Sequence, residues 1–149
     1  MYENYTRQSL PSKEYRELPG SAISVFNSNN ALLIEVFLNK KTTDANFSWH
    51  ELMDLTSGGL NKKVKANVRN DSKLSEIADD FEKLIEKRNR IIHSFQITDG
   101  TQTNGNENQI LATKDKQNNQ YHITKKYLQQ FITENEAIAI KLDELRKHD

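Results

Sequence analysis

Residues 82–95 read EKLIEKRNRIIHSF and bring together side chains suited to work on an anion. Arg88 is a permanent cation whose planar guanidinium presents a fork of donors. His93, five residues on, titrates near neutrality and can give or take a proton. Asn89 can hold either neighbour by hydrogen bonds. Lys87 and Arg90 flank the motif as candidate anion contacts.

The setting of Arg88 is as informative as its chemistry. At about 100° per residue, Leu74, Ile77, Phe81, Leu84, Ile92 and Phe95 all fall within about 40° of Arg88 on a helix. The cation therefore sits at the centre of an apolar face. Asn89 lies about 100° and His93 about 140° round from it by the same rule. Those two form an i,i+4 pair on one flank. Asn29 and Asn135 occupy the same kind of central position on the first and last long helices. The three polar residues are expected to share one layer, open to a cleft. Burying a guanidinium without partners costs several kcal/mol, so Arg88 must meet a carboxylate, several acceptors or an outside anion. Glu35 and Glu51 are the candidate carboxylates if Arg88 serves only to fix helix register.

Around this motif the sequence predicts mainly helix. The chain has 149 residues, enough for a single domain with one core. Residues 1–11 read as a flexible arm. Ser12 should cap a helix running to about Lys40, kinked or restarted at Pro19-Gly20. A short helix follows, capped near Ser48 or Asp44 and stopped at Gly58-Gly59. LNKKVKANVRND reads as a polar, basic connector. The long helix bearing the motif begins near Asp71 or Ser72. Residues 98–123 hold a polar loop and a β-hairpin turning in KQNN, and Thr124 caps the last helix. The expected fold is an all-α bundle of about four helices with a small hairpin inserted before the last.

Composition narrows the chemistry. The 21 basic and 21 acidic residues cancel, which argues against a protein that holds nucleic acid by bulk charge. With no cysteine there is no disulfide or thiolate site. His50, His93, His122 and His148 lack metal-ligand spacing, so no metal and no cofactor is expected. The N-terminus lacks a signal-type apolar run. ALLIEVFL, the most apolar stretch, is far short of the roughly 20 residues that span a bilayer. A soluble, cytoplasmic protein without a membrane partner is expected.

RNRIIH, with Arg88, four intervening residues and His93, resembles the R-x4-6-H signature of HEPN domains (higher eukaryotes and prokaryotes nucleotide-binding). Asn89 matches the polar residue often found after the arginine. The match is specific over six residues, and the helical setting agrees along most of the chain. The resemblance implies a homodimer whose two motifs form one cleft. It also implies metal-independent cleavage of RNA, in a toxin–antitoxin or phage-defence setting. Arg88, Asn89 and His93 would then be catalytic, with Lys87 and Arg90 binding substrate and an antitoxin or regulatory protein as a further partner. Some members only bind or scaffold, which gives the alternative of a non-catalytic module. In one toxin subgroup a partner enzyme modifies a Tyr two residues after the His; here that position is Phe95.

In such a site the RNA 2′-hydroxyl attacks the adjacent phosphate, leaving a 2′,3′-cyclic phosphate. Arg88 would stabilise the phosphorane and two His93 side chains would serve the two proton transfers. Lesser candidates are the basic run Lys62, Lys63, Lys65 and Arg69, as an RNA-backbone patch or a solvated loop. Trp49 and Tyr127 are possible base-stacking rings.

Overall fold

A computed structural model describes residues 2–40, 46–68, 71–100 and 109–147. The fold is mainly helical, with a small antiparallel sheet placed before the last helix. Helix α1 spans Lys13–Lys40. The Ser12 hydroxyl accepts from Tyr15 N at 3.2 Å and starts it as expected. Pro19 lies inside this single helix and neither ends it nor divides it. It sits in the second turn, where it removes the N–H that would otherwise bond the Tyr15 carbonyl, and packing of the long buried face carries the helix through that loss.

Helix α2 is Trp49–Met53, with a capping box between Ser48 and Glu51. Gly58-Gly59 does not stop the chain here. Both glycines lie in the first turn of helix α3, Ser57–Asn67, whose cap is Thr56 with its hydroxyl accepting from Gly59 N at 3.1 Å. Residues 60–67 of the expected basic connector are therefore helix. Leu60, Val64 and Val68, at four-residue spacing, are fully buried, and Asn61 donates to the carbonyl of Ala78 at 2.9 Å. Packing of that stripe outweighs the glycine penalty.

Helix α4 runs over Ser72–Ile92, with Asp71 as N-cap accepting from Leu74 N at 3.0 Å. It buries Leu74, Ile77, Phe81 and Leu84 as the stripe required, together with Ala78, Ile85 and Ile91 beside them. It ends sooner than the apolar period suggested. Phe95 opens a strand, β1 Phe95–Thr98, which pairs antiparallel with β2 Gln109–Lys114. The hairpin then turns to β3 Gln120–His122, with Asn118 at a φ of 67° in the turn. The sheet order is β1-β2-β3, so the expected hairpin gains a third strand. Thr124 caps helix α5, Lys125–Lys147, accepting from Tyr127 N at 3.0 Å.

The core is built on α1, which packs mainly along α5 and also against α4. Phe26 of α1 stacks on Phe81 of α4 at 5.1 Å and on Phe131 of α5 at 6.3 Å. Tyr15 fastens the sheet to α1: its hydroxyl donates to the carbonyl of Ile123 and accepts from Leu111 N at 3.2 Å. Burial raises the pKa of that phenol. Residues 2–11, expected as an arm, make contacts of their own. Tyr2 lies under the Arg16 guanidinium at 4.5 Å, and the Ser9 carbonyl accepts from Gln96.

Helix α1 is long and apolar enough to cross a membrane by length and composition, with a mean hydropathy of 1.2 over its best 18-residue window. Within this fold it is the central helix of the bundle, and Asn29 on its buried face is hydrogen-bonded to α5.

Asn29 and Asn135 meet as the stripes implied. Asn29 Nδ2 donates to the Asn135 carbonyl at 2.8 Å and to Asn135 Oδ1 at 3.0 Å, while Asn135 Nδ2 donates to the Phe131 carbonyl at 2.9 Å. Replacing Asn29 by Ala should lower unfolding free energy by about 1–3 kcal/mol, because Asn135 Oδ1 loses its buried donor. Urea unfolding checks this; a change below about 0.5 kcal/mol would show the pair to be energetically idle.

Candidate functional site

The motif occupies the C-terminal end of α4, where the helix leaves the aromatic core. Arg88 takes the next core-facing step after Phe81 and Leu84. Its guanidinium carbon lies 4.8 Å from the centroid of the Phe26 ring. Its Nε is buried and has no hydrogen-bond partner. Among the described residues no carboxylate forms an ion pair with it. Glu35, one suggested partner, faces Arg146 at 3.9 Å, and Glu51, the other, is engaged in the Ser48 capping box.

Burial lowers the pKa of the Arg88 guanidinium. A cation over a ring gains about 0.5–2 kcal/mol, less than the several kcal/mol that burying an ion costs. The Phe26 platform therefore compensates the cation only in part. Arg88 also stands outside the asparagine network: no hydrogen bond joins it to Asn29 or Asn135. The expected layer of three is a hydrogen-bonded pair plus a cation on Phe26, one turn before Asn29 on α1.

Asn89 and His93 are exposed. His93 is the C-cap of α4, at φ −92° and ψ 15°, and its N–H donates to the Asn89 carbonyl at 2.9 Å. Ser94 closes the end by donating from its hydroxyl to the Ile91 carbonyl at 2.6 Å. The i,i+4 relation of Asn89 and His93 thus persists in the backbone. Among the described residues no hydrogen bond holds the His93 ring or connects it to Arg88. Near His93 in the chain, Ile92 and Phe95 are 47% and 39% exposed, so apolar surface is left open at this end of α4.

The flanking cations differ. Lys87 Nζ lies 2.7 Å from both carboxylate oxygens of Glu134 on α5. That ion pair ties α4 to α5. Arg90 is exposed and stands beside Tyr127, whose hydroxyl donates to the Lys87 carbonyl at 3.3 Å. Desolvation raises the Tyr127 pKa, and the neighbouring Arg90 pulls it back down.

The lesser candidates disperse. Lys65 pairs with Asp79 and Glu82, and Lys63 lies 4.9 Å above the Phe47 ring. Arg69 lies outside the described residues. Trp49 is 45% exposed and packs its ring edge-on to His50, so it is not the core anchor its type suggests. Among the described residues no group of three or more His, Asp or Glu is placed to hold a metal ion. Phe26 as the seat of the guanidinium was not read from the sequence; its place three residues before Asn29 on the same stripe was the available signal.

No protein-family model matches this chain, and no curated protein or solved structure matches it.

The unmatched guanidinium makes a specific forecast. Arg88→Met should leave the protomer as stable as before or stabilise it by up to about 2 kcal/mol, since an apolar side chain of similar length needs no counter-charge. Thermal or urea unfolding reads the change. A loss above about 2 kcal/mol would reveal a partner for Arg88 inside the folded protomer.

Proposed function

We propose that this protein is a HEPN-like, metal-independent endoribonuclease working as a homodimer in the cytoplasm, in a toxin or antiphage role. The observation that carries the proposal is Arg88, a half-buried guanidinium without a carboxylate partner among the described residues, five residues before an exposed imidazole. Exposed Ile92 and Phe95 beside the motif supply apolar surface that a second copy can cover.

In this reading the reaction needs two protomers. One His93 takes the proton of the RNA 2′-hydroxyl as that oxygen attacks phosphorus. The bond to the 5′-oxygen breaks, and the partner protomer's equivalent imidazole returns a proton to the leaving oxygen. Arg88 forks onto the non-bridging oxygens as negative charge grows there. Asn89 holds His93 or the phosphate. The products are a 2′,3′-cyclic phosphate and a 5′-hydroxyl.

A non-catalytic binding or regulatory module of the same shape is the second reading. It is favoured by the lack of a hydrogen bond fixing the His93 ring within the protomer.

Cleavage of RNA in EDTA separates the two. Wild type should cut, with cyclic phosphate ends, and His93→Ala and Arg88→Ala should each lose about a hundredfold or more. Equal residual cleavage by all three proteins would mark a contaminant and leave the binding module. Sedimentation should find a dimer that Phe95→Glu dissociates, with cleavage lost alongside. A cleaving monomer would contradict the shared cleft.

A further inference from the structure

A cavity of about 450 Å³ lies between the hairpin and the facing helices, lined in part by Arg90, Thr113, Tyr121, Ile123 and Tyr127. It lies within the size range of small-ligand pockets. Strand register shows how it is built. Thr113 pairs with Tyr121, so their side chains share one face of the sheet, and Ile123, two residues on, points the same way. Ile123 is buried and Thr113 nearly so, which makes them the floor.

Tyr121 is different: it is 54% exposed, a large ring standing on a three-residue strand. Its hydroxyl is held by Asp115 Oδ2 at 3.2 Å. Asp115 is otherwise fully engaged, accepting from Gln117 N, Asn119 N and Asn119 Nδ2. The acid lining the cavity is thus occupied in shaping the turn and orienting the tyrosine. Tyr127 supplies a second ring, fixed through its hydroxyl to the Lys87 carbonyl. Arg90 supplies positive charge, and among the described residues no carboxylate pairs with it.

Two oriented aromatic faces, a partly apolar floor and one uncompensated guanidinium are the parts needed to seat a flat base with a phosphate attached. We infer that this cavity holds one unpaired nucleotide of a single RNA strand, its base against Tyr121 and Tyr127 and its phosphate on Arg90. The inference rests on the RNA-cleaving reading above. Arg90 precedes His93 by three residues, so the seated nucleotide lies one helical turn from the imidazole and would set which phosphate is presented for cleavage. The hairpin then has a role as one wall of a substrate track.

Binding of a fluorescent single-stranded RNA of about ten nucleotides, blocked against cleavage by 2′-O-methyl groups, tests this by anisotropy with the full chain. Tyr121→Ala and Tyr121→Leu should each weaken binding about tenfold. Tyr121→Phe, which keeps the ring, should stay within about twofold. Arg90→Gln should weaken binding and reduce the log–log salt slope by about 0.7, the value for one phosphate contact on a single strand. The same RNA annealed to its complement should bind no better than to Tyr121→Ala. Unchanged affinity in the Tyr121 variants, or no RNA binding by wild type, overturns the proposal. So does adenosine monophosphate binding as tightly as the strand, which would make the cavity a small-nucleotide site. Because the methylated strand cannot be cut, this result is independent of the cleavage assay: a nuclease indifferent to Tyr121 sinks only this inference, and a binder that never cuts sinks only the catalytic reading.

Discussion

The contact between the Arg88 guanidinium and the Phe26 ring governs how this bundle ends. Phe26 is where three helices agree on packing, with Phe81 stacked at 5.1 Å and Phe131 at 6.3 Å. On the side of that layer toward the Asn29–Asn135 pair the core is closed, and its buried amides are hydrogen-bonded. At the next step of α4 the apolar residue is replaced by a charge whose Nε has no acceptor. Beyond it, Ile92 and Phe95 remain uncovered. The contact thus stands where one part of the α4 face passes from buried core to open surface, while Ile91 and Tyr15 continue the core toward the hairpin. A ring can support a guanidinium but cannot neutralise it, and in the proposed reading a phosphate makes good that shortfall.

Helical periodicity sends the neighbouring cations to separate destinations. Lys87 turns to α5 and is matched by Glu134, binding the two helices together. Arg88, about 100° further round, reaches the aromatic layer. Arg90 lies beside Tyr127 and lines the hairpin cavity. Three basic residues within four positions thus divide into a structural tie, a core-edge cation and a cavity cation. The Tyr127 hydroxyl on the Lys87 carbonyl, with Tyr15 fastening the sheet to α1, joins helix end and hairpin. Motif and cavity are therefore parts of one corner of the fold.

Much of this corner was legible in the sequence because it depends on local rules. Ser12, Ser48, Asp71 and Thr124 cap helices where their side chains could reach free N–H groups. The α4 stripe located Arg88, and the asparagine positions on α1 and α5 anticipated the Asn29–Asn135 pair. What the sequence concealed depends on tertiary contact. Gly58-Gly59 reads as a break because its local propensity is poor, yet burial of Leu60 and Val64 carries a helix through it. Phe95 continues the helical period by position, although its backbone pairs with Ala112 in a strand. Sequence charge does not reveal that Glu134 takes Lys87 while Glu35 turns to Arg146. The exposure of Trp49 likewise follows from its short helix, which buries Leu52 instead.

The most direct measurement is the Arg88 Nε–H resonance in a proton–nitrogen correlation spectrum, followed as a single-stranded RNA blocked by 2′-O-methyl groups is added. If the guanidinium on Phe26 is the waiting partner of a phosphate, that resonance shifts on binding and its hydrogen exchange slows, with His93 ring signals moving in step. If the Arg88 resonance stays where it is while the RNA is bound, the cation belongs to the protein alone and the phosphate is held elsewhere.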